Sequence, residues 1–390
     1  MPNQRDLLRR GLLPKKKVLV EKERERKKEE IVSSSSPPIQ KVEVLTKGKK
    51  KFRDYGGKRN RGYPSVAWIH DTQKYGGAEL SNQRVIEVGR KLGFEIYECY
   101  PETFDKVKLI EADFLIVNNF FYFPQDQYYF ILDLIFEYGR PFVKYEHDHR
   151  EVYGNTARIK LARLLFGRSF LNVFISPFQM ENHKKKLGKL VEPYYLLPPA
   201  IDTEKFKILP DIKRENSKVI SMTGRLYHSK GLQHVANFVR VKHHWKFEIY
   251  SKEPGKVEEY FKDVKNVKIF SPVDYEELPK IYNSAGYTIH LPQELEACGR
   301  TIAEGVLCGC APLYNRNVGI GSFKAFHLGD KKLFDYEKFK EVCRIGPYQF
   351  WKTVDVSFHG YTPRKRSWEI SEVAGEKISL AYRERRKNEN

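Results

Sequence analysis

Glu296-Ala-Cys-Gly-Arg-Thr-Ile-Ala-Glu304, continuing as Gly305-Val-Leu-Cys-Gly-Cys-Ala-Pro312, is the stretch that decides how this chain is read. Two carboxylates stand eight positions apart with Cys298-Gly299-Arg300 between them, and a short apolar helix is expected to begin at Arg300 or Thr301. Just upstream, Tyr287-Thr-Ile-His-Leu291 has the composition of a buried strand. The order strand, loop, helix start leaves unpaired backbone N–H groups at a helix N-terminus, an arrangement that favours a phosphate. From the loop, Glu296 can reach a neutral polyol together with the backbone of Cys298 and Gly299. One turn into the helix, Glu304 can take the paired hydroxyls of a ribose. Two Glu at this spacing also occur on any solvated helix face, so the stretch needs a structural context.

That context lies about 70 residues upstream, in Val219-Ile-Ser-Met-Thr-Gly224-Arg225-Leu-Tyr-His-Ser-Lys230-Gly231. An apolar strand ends in Gly-Arg, and Lys-Gly follows before another helix. Cations just past the C-terminal end of a strand sit where an α/β sheet binds anionic ligands. Arg225 offers a planar fork and Lys230 a point charge to such an anion. Asp-x-Asp occurs nowhere in the chain, so a metal-bridged diphosphate is not expected.

Together the two stretches resemble the retaining glycosyltransferases of the GT-B fold, in particular glycosyltransferase family 4, which carries Gly-Arg-Leu…Lys-Gly and Glu-x7-Glu in this order. The resemblance spans residues 64 to 325. It implies an α/β fold of two doubly wound, parallel-sheet (Rossmann-like) domains facing across a cleft. It also implies a UDP-sugar or GDP-sugar donor, no cofactor, and retention of anomeric configuration with the leaving phosphate taking the acceptor's proton. Gly76-Gly77-Ala78-Glu79 is similar to the family's N-terminal loop against the donor phosphates, with Gly77 allowing close backbone approach. In Tyr145-Glu-His147-Asp148-His149-Arg150 the resemblance matches His147 to a histidine that touches the donor sugar, with His149 as the competing register. Leu196 to Phe206 resembles the exit from the first domain, and the C-terminal helix of this fold usually crosses back onto that domain. Two departures stand out: Cys298 replaces a residue that is often aromatic, and Asn317-Val-Gly-Ile-Gly321 lacks a carboxylate usual in that loop.

The chain has 390 residues, enough for two cores, and no apolar run of the ~18 residues a membrane helix needs. Met1 to Arg10 is polar and carries no signal-peptide pattern, and the five cysteines are scattered, so a reducing cytoplasm is expected and no structural metal. Of the net charge of +20, the 20 Lys and Arg against 8 acidic residues before Gly62 form a basic arm, residues 1–62, expected to stay disordered without a partner. Strands expected at 65–70, 94–100, 113–118, 142–146 and 171–175, with helices between them, make a first domain over 63–205. Strands at 218–223, 246–250, 266–270, 287–291 and 310–314 make a second over 217–345. A helix capped by Asp274 is expected over 274–285, and C-terminal helices over 346–390.

The acceptor is open between three readings. The basic arm and the aromatic run Phe120 to Phe130 favour nucleic acid, with a hydroxylated base of the kind phages decorate as the target, flipped out of its duplex; Tyr122 and Phe123 of that run, Asn119 just before it and His149 are candidate acceptor contacts. Such a protein would act in a host cytoplasm. Basic charge serves equally for a lipid-linked or surface polysaccharide at an anionic membrane. The third reading is an epimerase, a phosphorylase or a non-catalytic nucleotide-sugar binder on the same fold.

Overall fold

A computed structural model describes residues 62–71, 76–120, 122–154, 156–224, 230–323 and 335–361. The basic arm, apart from Gly62, and Arg225 lie outside the described residues.

Among the described residues, the first sheet holds β1 (Ser65–Ile69), β2 (Glu95–Cys99), β3 (Phe114–Val117), β4 (Phe142–Glu146), β5 (Leu171–Phe174) and β6 (Tyr194–Leu196). All pairings are parallel, in the order β2-β1-β3-β4-β5-β6. Parallel strands need crossovers, and α1 (Gly77–Leu92), α2 (Lys106–Glu111), α3 (Gln125–Phe136), α4 (Arg150–Tyr153), α5 (Thr156–Arg168) and α6 (Pro177–Leu187) lie in them. Side chains alternate across a strand, so both faces of β1 are filled. Val66 and Trp68 pack in one core with Val85, Ile86 and Val88 of α1, while Ala67 and Ile69 pack in another with Leu109, Ile131 and Leu134.

The second sheet holds β7 (Glu215–Gly224), β8 (Lys246–Ser251), β9 (Val267–Phe270), β10 (Ala285–His290) and β11 (Ala311–Tyr314), again parallel, in the order β11-β10-β7-β8-β9. Pro312 is tolerated because β11 is an edge strand. α7 (Leu232–Val241), α8 (Pro254–Glu258), α9 (Leu278–Asn283) and α10 (Arg300–Leu307) accompany this sheet. The helix expected from Asp274 starts later, at Leu278. Pro279 sits in its first turn, where a residue without an N–H is tolerated. The consequence is that Tyr275 lies in a turn before the helix.

α11 (Tyr336–His359) starts at Asp335, whose side chain accepts from the Lys338 N–H at 2.9 Å. Phe339 and Cys343 of α11 lie in the second sheet's core with Ile302 and Val306. Past Gly346 and Pro347, Phe350, Trp351 and Val354 lie in the first sheet's core with Trp68. Trp351 is wholly buried and its indole donates to Val85 O at 2.7 Å. It packs directly over Gly89, where an added Cβ would fall 2.4 Å from the indole.

Candidate functional site

Described residues that follow β1, β4, β7 and β10 come near one another at the C-terminal ends of the strands, which is where open α/β sheets bind ligands. From the first domain come Gly76, the extended residue before α1, and Gly77, its first residue. From the second come Lys230 after β7, Glu296 after β10 and the N-terminus of α10. A Cβ on Gly77 would lie 3.5 Å from Arg300 Cδ, so the glycine loop and the start of α10 touch. Gly224 ends β7 and Arg225 is not among the described residues.

Lys230 and Glu296, 66 residues apart, meet: Lys230 Nζ donates to Glu296 Oε2 at 2.6 Å. His290, at the end of β10, brings Nε2 within 3.5 Å of the same oxygen. Burial pushes the Glu296 carboxyl up, but His290 and Lys230 outweigh it and hold it well below the usual carboxylate range. The carboxylate therefore stays an acceptor at neutral pH. Its backbone is pinned by the loop after β11. The Glu296 N–H donates to Asn317 O at 2.8 Å, and the Gly319 and Ile320 N–H groups donate to Glu296 O and Cys298 O at 2.9 and 2.7 Å.

Gly299 caps α10 at φ +88°, a left-handed conformation that glycine adopts without cost, and a Cβ there would lie 2.5 Å from Val318 Cγ1. Cys298 just before it is buried in the second core, and burial pushes its thiol well above the ordinary range, so the thiol is inert. Thr301 is half-buried in the first turn of α10.

Arg300 and Glu304 pair with each other across one turn of α10. Glu304 is 3 % exposed and accepts from Arg300 Nε at 2.7 Å and from the Tyr275 hydroxyl at 3.3 Å. The Arg300 fork also donates to Tyr275 Oη at 2.8 Å, to Ser81 Oγ at 2.7 Å and to Ala200 O at 3.1 Å. Burial is the largest influence on both groups and opposes ionisation. The Glu304 carboxyl ends above its ordinary value, while Glu304 and Tyr275 hold Arg300 more firmly protonated. Arg300 is thus a tie from α10 to α1 and to the segment after β6. A second tie runs from α6, where Ser176 Oγ donates to Ala297 O and the Phe178 N–H donates to Ser322 Oγ at 3.0 Å.

At the end of β4, Lys144 and Glu146 are both wholly buried with Nζ and Oε2 3.2 Å apart. Glu146 Oε1 accepts the N–H groups of His147 and Asp148 at 3.0 and 2.9 Å, which fixes the turn that carries the histidines. His147 is buried, its Nε2 2.8 Å from Asn82 Oδ1, and Arg300 is close enough to act on its charge. Burial drives its pKa down to about 4, with Glu146 opposing and Lys144 and Arg300 assisting. His149, also at about 4 chiefly through burial, packs against Phe178, Tyr153 and His183 instead of His147's amide partner. The aromatic run divides. Tyr122 is 70 % exposed, Asn119 is half-buried with its N–H on Asn118 Oδ1 at 2.8 Å, and Phe123 packs in the core against Phe104.

Sequence reasoning missed Ser81, Asn82, Tyr275 and His290. His290 had a signal, lying last in an apolar strand before the Glu296 loop. Ser81 and Asn82 sit inside an amphipathic helix with nothing to mark them. Among the described residues no group of His, Cys, Asp and Glu is arranged to hold a metal ion, and no helix is long and apolar enough to cross a membrane.

No family model matches the chain, and no curated protein matches it either. Solved structures do. HepE of Anabaena, in complex with UDP and glucose, shares 14 % identity over 83 % of this chain and 100 % of its own, with a TM-score of 0.53. The same protein in complex with UDP-glucose shares 15 % identity over 82 % of this chain and 100 % of its own, with a TM-score of 0.51. A sucrose-phosphate synthase of Thermosynechococcus elongatus shares 13 % identity over 82 % of this chain and 98 % of its own, with a TM-score of 0.55. At these identities the likeness is one of fold, the two-sheet GT-B arrangement.

Proposed function

We propose that this protein is a glycosyltransferase that moves a sugar from a nucleoside diphosphate sugar to an acceptor. The observation that carries the reading is the Lys230–Glu296 pair at the loop that leads into α10, whose first residue, Arg300, lies close to Gly77. Breaking the bond between an anomeric carbon and a diphosphate builds charge on the departing phosphate. Lys230, Arg225 and the N–H groups at the start of α10 are the groups assigned to that charge, as fixed donors stabilise developing charge best. Glu296, held ionised by its bonds to His290 and Lys230, is an acceptor for sugar hydroxyls, alongside the backbone at Cys298 and Gly299. Glu304 takes the ribose with the oxygen that Arg300 leaves open. His147, neutral at physiological pH, contacts the sugar from the opposite domain. The reaction is read as retaining, with the leaving phosphate accepting the acceptor's proton. UDP-glucose is the first donor to test, since Anabaena HepE of the same fold binds it.

For the acceptor we favour a hydroxylated base in nucleic acid. The net charge of +20 supplies polyanion attraction, and the exposed ring of Tyr122 supplies a stacking surface beside the first domain's loops. The test is release of nucleoside diphosphate from UDP- and GDP-sugars, with and without hydroxymethylated DNA, in the native protein and in Lys230→Ala and Glu296→Ala. DNA-stimulated release that both variants lose by about 100-fold or more supports the reading, the scale seen when one preorganised charge-stabilising contact is removed. Release indifferent to DNA moves the acceptor to glycans at membranes. Binding of UDP without turnover of any donor overturns the transferase reading.

A further inference from the structure

A hydrogen-bond chain runs through the buried edge of the first sheet, and its polarity can be read from one backbone group. The Asn119 N–H donates to Asn118 at 2.8 Å, so the atom facing it is Oδ1 and the other terminus of that amide is Nδ2, a donor. Asn118 Nδ2 faces Asn82 at 3.1 Å, which makes that atom of Asn82 its Oδ1. The same Oδ1 lies 2.8 Å from His147 Nε2, which must therefore carry a proton. Asn82 Nδ2 is then directed at His70 Nδ1 at 3.4 Å, so that nitrogen is a lone pair and the His70 proton is on Nε2. The hydrogen-bonded chain ends there: His70 Nε2 is buried without a hydrogen-bond partner, with Glu98 Oε2, which accepts from the Tyr100 hydroxyl at 2.9 Å, lying 3.9 Å away.

We propose that Asn82, backed by Asn118 and His70, is a positioning residue that holds His147 as the Nε2–H tautomer and leaves its Nδ1 lone pair as a hydrogen-bond acceptor for a ligand hydroxyl. All three partners of Asn82 are buried, and water does not compete for its amide. Among the described residues Nδ1 of His147 has no hydrogen-bond partner. Burial, with Lys144 and Arg300 assisting, outweighs Glu146 and leaves the ring neutral. His147 thus accepts from a hydroxyl and does not protonate a leaving group. This rests on the reading of the cleft as a sugar site, but its central claim concerns only where a proton sits.

The test is long-range proton–nitrogen NMR on the full-length protein with 15N-labelled histidine at neutral pH, with the His147→Gln spectrum assigning one of the 11 histidines. The expected result is a protonated-type shift at Nε2 and an unprotonated one at Nδ1 of His147, with no ligand added. In Asn82→Asp, whose side chain offers two acceptors, His147 keeps its tautomer while His70 reverses to Nδ1–H. In Asn82→Leu, His147 becomes a tautomer mixture. Donor turnover should fall about tenfold in Asn82→Leu, the worth of one misdirected hydrogen bond, and recover in Asn82→Asp. An Nδ1–H tautomer in the native protein, or an unchanged tautomer in Asn82→Leu, overturns the proposal whatever the donor proves to be. A correct tautomer with no donor turnover leaves the proposal standing and overturns the transferase reading alone.

Discussion

Replacing Arg300 with Met should unsettle the junction between the two sheets. Arg300 donates one bond to a carboxylate, Glu304, and three to neutral acceptors on Ser81, Ala200 and Tyr275. The side chains of Arg300 and Glu304 are 11 % and 4 % exposed, so water cannot take over their bonds. Removing one partner of such a pair strands the other and costs about 3–5 kcal/mol. The four lost bonds, at about 0.5–3 kcal/mol each, are of the same order. The assay is urea denaturation followed by tryptophan fluorescence. Arg300→Met should lower stability by about 3–5 kcal/mol, and Arg300→Met with Glu304→Gln should recover much of that by removing the stranded charge. Arg300→Lys keeps the charge but not the fork, and should fall between. A loss under about 1 kcal/mol in Arg300→Met, or a double variant no better than the single, would refute the tie between the domains.

Three further outcomes are expected. Trp351→Ala empties the slot above Gly89 and should cost about 3–5 kcal/mol, measured by the same denaturation. Gly299→Ala forces φ +88° on a residue with a Cβ and drives that atom into Val318, so it should cost more than about 1 kcal/mol and raise KM for the donor by displacing the start of α10. His147 and His149 titrate near 4 and His70 near 3 in the folded chain against 6.5 unfolded. The unfolded chain therefore binds more protons in that interval, and stability should be level above pH 6.5 and fall by about 1.4 kcal/mol per pH unit per histidine down to pH 4. A level denaturation midpoint between pH 6.5 and 5 would contradict the burial of these rings.

Much of the architecture was legible because parallel strands buried on both faces leave continuous apolar runs, as in Phe114–Val117, and because each run is followed by an amphipathic helix. The junction of Lys230 with Glu296 was legible as two motifs after two strands. The role of Arg300 was not. Spacing places a side chain on a helix face, but whether a ligand or a neighbouring domain occupies that face depends on residues such as Ser81 and Ala200, which carry no signal of their own. Tyr275 was hidden by Asp274, a good cap in isolation, because Pro279 moves the helix start past it. Phe123 and Tyr122 are neighbours of like composition, and only packing against Phe104 separates the buried ring from the exposed one. β6 is three residues long, too short to announce itself by alternation.

The path of α11 gives the chain an order of assembly. Trp68 and the strands around it emerge early in synthesis, yet Phe350 and Trp351, which close their core, emerge some 280 residues later. A ribosome-bound chain must carry the slot above Gly89 open while the whole second sheet is made, so that apolar face stays uncovered until the last stretch of chain arrives. It also means that a fragment ending near residue 205 is an unfinished body, and that supplying residues 336–361 as a separate peptide should restore its cooperativity.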